Sequence, residues 1–211
     1  MTTDGPDCLD RFAFVSAAAK ARLETYVARL KKWQATHNLV APSTLGEIWQ
    51  RHVLDSAQLL AMAPQARRWI DLGSGAGFPG MVIAILLAEQ EGARIELVES
   101  NGKKCAFLRA VARATDAPVD VVPERIESFA ERRHEGIEVI TARALAPFAE
   151  LCRMAEPIMS DESVMLLLKG QDFVYEEREA SKYWDYDLLI TDSVSDPGGR
   201  IVTVRNLKGK G

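Results

Sequence analysis

The segment Ile70-Asp71-Leu72-Gly73-Ser74-Gly75-Ala76-Gly77-Phe78-Pro79-Gly80 restricts the folds open to this chain more than any other. A short apolar run, Trp69 to Leu72, precedes the glycines, and a longer one, Met81 to Ala88, follows them. Strand, glycine-rich crossing and helix in that order open a doubly wound α/β domain, in which ligands bind at the carboxyl ends of the strands. Glycine reaches backbone conformations closed to other residues and puts no side chain between the crossing and a ligand. Alternating glycines also surrender more chain entropy than a bare turn warrants.

The remaining pattern extends that unit. Leu23, Tyr26, Val27, Leu30 and Trp33 follow the i, i+3, i+4, i+7 spacing of an amphipathic helix. Asn38 to Pro42 interrupts it, since proline disfavours a helical residue before it. Ser43 stands as an approximate N-cap for a second helix that presents Trp49, His52, Val53 and Leu60 on one side and ends at Pro64. Beyond Arg68 the texture alternates. Strands are expected at 69–72, 94–98, 119–122, 137–141 and 164–168, and helices at 78–89, 103–115 and 148–159. Segments 188–191 and 201–204 read as a closing pair, joined through Asp196-Pro197-Gly198-Gly199 and added antiparallel at one edge. Such alternation implies a mostly parallel sheet covered on both faces. The expected class is α/β: a doubly wound, mostly parallel, Rossmann-like sheet over 67–211, behind a helical N-terminal extension over 1–66 packed on it.

Composition limits what else the chain can be. Of its 211 residues, 47% are apolar and 27% charged, globular proportions that exclude a disordered or fibrous chain. The run Met81 to Ala88 falls far short of the roughly 20 residues of a membrane-spanning helix. The first residues carry neither the basic nor the apolar segment of a secretory signal. Cys8, Cys105 and Cys152 are scattered and remote from any histidine cluster. They speak against a disulfide framework or a metal site and for a reducing compartment, the cytoplasm. A formal charge of −4 gives no global attraction to nucleic acid, so any RNA or DNA binding has to come from local patches.

Two ligand classes suit the glycine crossing. Gly75, Gly77 and Gly80 satisfy dinucleotide spacing, though late and with Pro79 before the third glycine. Asp71, Gly73, Gly75 and Gly77 instead form Asp-x-Gly-x-Gly-x-Gly, which resembles the first motif of class I S-adenosylmethionine-dependent methyltransferases. Glu99, closing the second strand, can accept hydrogen bonds from both ribose hydroxyls and serves either cofactor.

A longer ordered set is more specific. It comprises Arg51-His52-Val53-Leu54-Asp55-Ser56, the glycine segment, Glu99-Ser100-Asn101-Gly102-Lys103-Lys104, Arg125-Ile126-Glu127, Thr141-Ala142-Arg143-Ala144 and Leu168-Lys169-Gly170. In order, these resemble the bacterial small-subunit ribosomal RNA methyltransferase G family, also called glucose-inhibited division protein B. The resemblance runs from about Trp33 to Val204. It implies methyl transfer from S-adenosylmethionine to N7 of a specific guanine in 16S ribosomal RNA. Carried over by motif, it implies a cofactor site with Gly73, Ser74, Gly75, Gly77 and Phe78 as floor and wall. Glu99, Ser100 and Asn101 would lie at the ribose, and Ile126 and Glu127 at the adenine. Arg143 would face the methyl-transfer region and touch base or cofactor. Val40 departs from the family's usual Thr, at a helix-linker contact with no expected bearing on the cofactor; Glu99 stands where Asp is common.

The implied chemistry asks little of a base. Guanine N7 carries a free lone pair, so alignment and exclusion of water suffice. Ala142-Arg143-Ala144 is not the Asp/Asn-Pro-Pro-aromatic signature of exocyclic-amine methyltransferases, and neither Cys105 nor Cys152 follows a proline as in cytosine-C5 enzymes. Arg51, His52, Lys103 and Lys169 are candidate RNA contacts. Competing roles are a salt bridge for Arg143, packing and an Asp55 pair for Arg51 and His52, and a solvated strand end for Lys169. The expected partner is 16S ribosomal RNA or a small-subunit precursor, met by a monomer without metal. A nicotinamide-dependent oxidoreductase and a non-catalytic RNA-binding module stay open as alternatives.

Overall fold

Seven strands form one sheet: β1 (Arg68–Leu72), β2 (Arg94–Val98), β3 (Val119–Val122), β4 (Val139–Arg143), β5 (Val164–Lys169), β6 (Trp184–Asp192) and β7 (Arg200–Gly209). Their order is β3-β2-β1-β4-β5-β7-β6 in the computed structural model, which describes residues 4–132 and 134–210. β1 to β5 pair in parallel, and β7 enters antiparallel between β5 and β6. Strand order reverses between β1 and β4, so a crevice opens at their carboxyl ends. The run Val164 to Leu168 is buried throughout, as a strand covered on both faces requires.

The helices are α1 (Ala17–Gln34), α2 (Asp55–Met62), α3 (Gly80–Leu86), α4 (Gly102–Thr115), α5 (Ile126–Ala130), α6 (Phe148–Ala155) and α7 (Phe173–Ala180). Ser16 caps α1 by accepting the Ala19 amide at 3.0 Å. Leu23, Tyr26 and Leu30 of α1 and Leu59 of α2 share one apolar cluster with α3 and with Ile95 and Leu97 of the sheet. Phe148, Phe173, Ile140 and Met165 build the cluster on the opposite face. Every residue of α3 is buried, because this apolar helix is wedged between the sheet and the N-terminal helices.

Several boundaries differ from expectation for identifiable reasons. α3 begins at Gly80, not Phe78: Gly77 adopts φ +99°, and the Gly80 amide donates to Asp71 Oδ2 at 3.2 Å. Ser43 caps nothing. Pro42–Glu47 is a 3-10 turn without a side-chain cap, Trp49–Leu54 is a wide π-type turn, and only then does α2 start. β4 begins two residues late, since Glu138 turns its carboxylate onto the Arg67 and Arg68 amides (2.7 and 2.8 Å). α6 is shorter than read, and β6 and β7 are longer. The short helices α5 and α7 were not expected at all. The three cysteines are unpaired. Among the described residues no cluster of His, Cys, Asp or Glu could hold a metal ion, and no helix is long and apolar enough to cross a membrane.

Candidate active site

The crossing after β1 is fastened by its neighbours. Gly73, Gly75 and Gly77 have φ of +65°, +57° and +99°, the left-handed region that glycine tolerates. The Gly75 amide donates to Glu99 Oε2 at 2.9 Å, and the Asn101 amide donates to Glu99 Oε1 at 2.7 Å. Each carboxylate oxygen keeps a second acceptor position for a ligand hydroxyl. Beneath the loop, buried Asp71 accepts from Thr141 Oγ1 (2.8 Å) and the Gly80 amide, and burial raises its carboxyl to about 6.

The cradle suits a nucleoside laid across bare backbone. A Cβ on Gly75 would find only the Gly73 carbonyl, 3.7 Å away, so a side chain there would occupy the space a ligand needs. A Cβ on Gly77 would strike Met81 at 2.7 Å, and one on Gly73 would strike Leu145 at 2.6 Å. Above the crossing lies a cleft of about 390 Å³, lined by Gly73, Gly75, Phe78, Val40, Lys104 and Arg143 among others. That volume is at the lower end of the range for small-molecule sites.

A second cleft of about 220 Å³ adjoins it, lined by Arg51, His52, Asp55, Arg143, Lys169 and Arg200 among others. The two share Thr44, His52 and Arg143. Arg143, at the end of β4, lies over the Phe78 ring at 5.1 Å and donates to the Arg51 carbonyl at 3.2 Å. Burial works against its charge, and Asp55, 3.8 Å away, works for it. His52 stacks on the same Phe78 at 4.9 Å and shares a hydrogen bond with Thr44 Oγ1 at 2.9 Å. Its Nδ1 is buried without a partner. Burial, then the charges of Arg143 and Arg51, push its pKa down to about 3.

The residues singled out from sequence fall into three groups. Gly73, Ser74, Gly75, Phe78 and Arg143 line the larger cleft. Ser74, however, spends its hydroxyl on Asp71, its amide on Val98 and its carbonyl on Gly77. Gly77 turns inward against Met81, Tyr26 and Leu108. Glu99, Ser100 and Asn101 follow β2, with Ile126 and Glu127 one strand further along the same edge. The Asn101 side chain caps α4, accepting the Lys103 and Lys104 amides.

Arg51, His52 and Lys169 join Arg143 at the smaller cleft, whereas Lys104 rather than the exposed Lys103 reaches the larger one. Lys169 donates to Glu176 at 2.7 Å, so it is not the solvated strand end. Asp55 pairs with Arg143, and Arg51 with Glu47. Val40 lines the larger cleft as well as lying in the linker after α1. Thr44 and Leu145 carry no site signal in the sequence, Tyr26 reads there only as part of an apolar helical stripe, and Asp55 is legible only as a partner for Arg51 or His52.

The fold is shared with solved structures at low sequence identity. A methyltransferase from Geobacter sulfurreducens matches with a TM-score of 0.57 and 14% identity, covering 86% of this chain and 88% of that one. A mutant of MtNAS in complex with S-adenosylmethionine matches at 0.58 and 15%, covering 96% and 84%. The fold is that of the class I S-adenosylmethionine-dependent methyltransferases. The profile described as rRNA small subunit methyltransferase G matches residues 19–199, and the chain belongs to that family. It is 47% identical over 215 residues to Ribosomal RNA small subunit methyltransferase G of Parvibaculum lavamentivorans, covering 99% of this chain and 95% of that one. The protein of the same name in Rhodopseudomonas palustris is 45% identical over 213 residues, with 99% and 91% covered.

Proposed function

We propose that this chain methylates N7 of one guanine in 16S ribosomal RNA, acting as a cytoplasmic monomer on the RNA or on a small-subunit precursor. In this reading 67–211 binds the cofactor and 1–66 is the extension that helps shape the RNA side. The observation that carries it is the meeting of the two clefts at Arg143 and His52, one floored by bare glycine backbone and the other rimmed by arginines.

S-adenosylmethionine supplies, when bound, a methyl group activated on a sulfonium. Gly73, Gly75 and Phe78 form floor and wall, with Ser74 and Gly77 shaping the crossing from within. Glu99 would accept the ribose hydroxyls beside Ser100 and Asn101, and Ile126 and Glu127 would flank the adenine. Arg143 is the catalytic residue: its guanidinium has a fork of five donors, of which one bonds the Arg51 carbonyl. Guanine presents O6 and N7 on one edge. A hydrogen bond from Arg143 to O6 orients the base and leaves N7 free. With the donor bound, its methyl group would pass from sulfur to N7, and this chain's residues need move no proton, in keeping with the neutral His52 beside the cleft. Base-paired RNA hides N7 in a deep, narrow groove, so the target enters unpaired or flipped. Arg51, Lys103 and Lys104 are the candidate phosphate contacts, and Lys169 supports the wall through Glu176.

The test is incubation with labelled S-adenosylmethionine and unmethylated small-subunit RNA or subunits, followed by mapping of the modified nucleotide. Label on a guanine N7 is expected. Label on a cytosine or an exocyclic nitrogen overturns the proposal.

A further inference from the structure

We infer that Asp55 is the positioning residue for Arg143, and that the turn between β6 and β7 completes its seat. This rests on the function proposed above and deepens it. Three segments far apart in the chain converge here: the first turn of α2, the end of β4, and Ser193 to Ser195.

The side chains of Asp55 and Arg143 are each only 17% exposed. Asp55 Oδ1 accepts from Ser195 Oγ at 2.7 Å, from Gln58 Nε2 at 2.8 Å and from Ser193 Oγ at 3.4 Å. Gln58 in turn donates to Ser193 Oγ (2.9 Å) and accepts the Val194 amide (3.0 Å). Neutral donors therefore fill one oxygen and fix the carboxylate plane, leaving Oδ2 toward Arg143. At 3.8 Å that contact is an ion pair without a direct hydrogen bond. Arg143 is thus drawn by charge and rested on Phe78, while most of its donors stay available to a ligand. A tighter, bidentate pair would consume the fork; no acid at all would leave a nearly buried cation uncompensated. The geometry fits a group that must be aimed and yet unoccupied.

Asp55→Asn keeps the size and the acceptor for Ser195 while removing the charge. Steady-state methyl transfer to small-subunit RNA, calorimetric binding of S-adenosylmethionine and thermal melting are measured on the full chain. Expected is a loss of up to about 100-fold in kcat/KM for RNA, the scale of a misaimed group. Affinity for S-adenosylmethionine stays within about twofold of wild type, a change small beside a tenfold shift of 1.4 kcal/mol. Asp55→Glu, which restores charge, recovers part of the rate, and Ser195→Ala loses less than Asp55→Asn. In an Arg143→Ala background Asp55→Asn costs nothing further, the non-additivity of residues acting through one another. Unchanged transfer in Asp55→Asn, losses that multiply in the double variant, or donor affinity falling in step with rate would each overturn the inference. If Asp55→Asn does not fold, Ser195→Ala with the Arg143→Ala cycle decides by the same criteria. A wild-type protein that binds the donor but methylates no RNA overturns the underlying function, and the inference with it.

Discussion

The hydroxyl of Tyr26 donates to the carbonyl oxygen of Ala76 at 2.6 Å, tying α1 to the middle of the glycine crossing. Both residues are buried, and the Tyr26 ring lies 5.3 Å from Phe78 and 6.3 Å from Phe107. The glycine crossing is thus braced by a residue of α1. Tyr26→Phe removes the donor and strands a buried acceptor, a cost of about 1–3 kcal/mol. Chemical denaturation should show that loss, and calorimetry a several-fold weaker S-adenosylmethionine complex.

Gly75 and Gly80 should respond in opposite ways. Gly75→Asn, a side chain that tolerates φ +57°, projects into the open cleft, so the fold should survive while donor binding is abolished. At Gly80 a Cβ would clash with Leu97 and sit 2.6 Å from Asp71 Cβ. Gly80→Ala should therefore cost about 1–3 kcal/mol as overpacking. Melting curves and donor titration on the two variants separate these outcomes.

Asp71 should give the protein a pH-dependent penalty. Its carboxyl is raised by burial from 3.8 to about 6. Between these values the folded chain holds a proton that the unfolded chain has lost, so stability falls as pH rises from about 4 to 6. Two units amount to roughly 3 kcal/mol, fully present above pH 6. Asp71→Asn lacks that slope. Urea midpoints at pH 4 and 7 should move in its favour relative to wild type, and a parallel pH dependence in both proteins would sink the prediction.

His52 should stay neutral wherever the protein works. Its pKa is depressed to about 3 from 6.5, so the folded chain resists protonation that the unfolded chain accepts. Stability supplied by the neutral ring is complete above pH 6.5 and drains away as pH falls below it. Nuclear magnetic resonance of the His52 ring protons should show no titration between pH 5 and 8.

Much of this architecture is legible in local pattern. Apolar runs between turn residues mark the five parallel strands, and the glycine spacing with Glu99 marks the edge proposed for the cofactor. Arg143 is legible because it closes a strand at the crevice. What escapes is what depends on residues distant in sequence. Asp55 meets Ser195 and Arg143 only through tertiary folding, and no periodicity announces such a meeting. Tyr26 did leave a trace: a hydroxyl inside an apolar helical stripe needs a buried partner. Lys104 rather than its neighbour Lys103 reaches the cleft because adjacent residues on a helix point different ways. α5, with five residues, is too short to display a helical period.

The threads from Asp55 and Gln58 to Ser193, Val194 and Ser195 also order events in time. Synthesis proceeds from the amino end, so the residues of the glycine crossing, Glu99 and the first four strands are all made by the time Arg143 is added. The anchor for Arg143 stays half-built until the last hairpin has left the exit tunnel. On the function proposed here, the chain thus makes every segment of the donor cleft before it makes the last brace of the RNA-facing arginine.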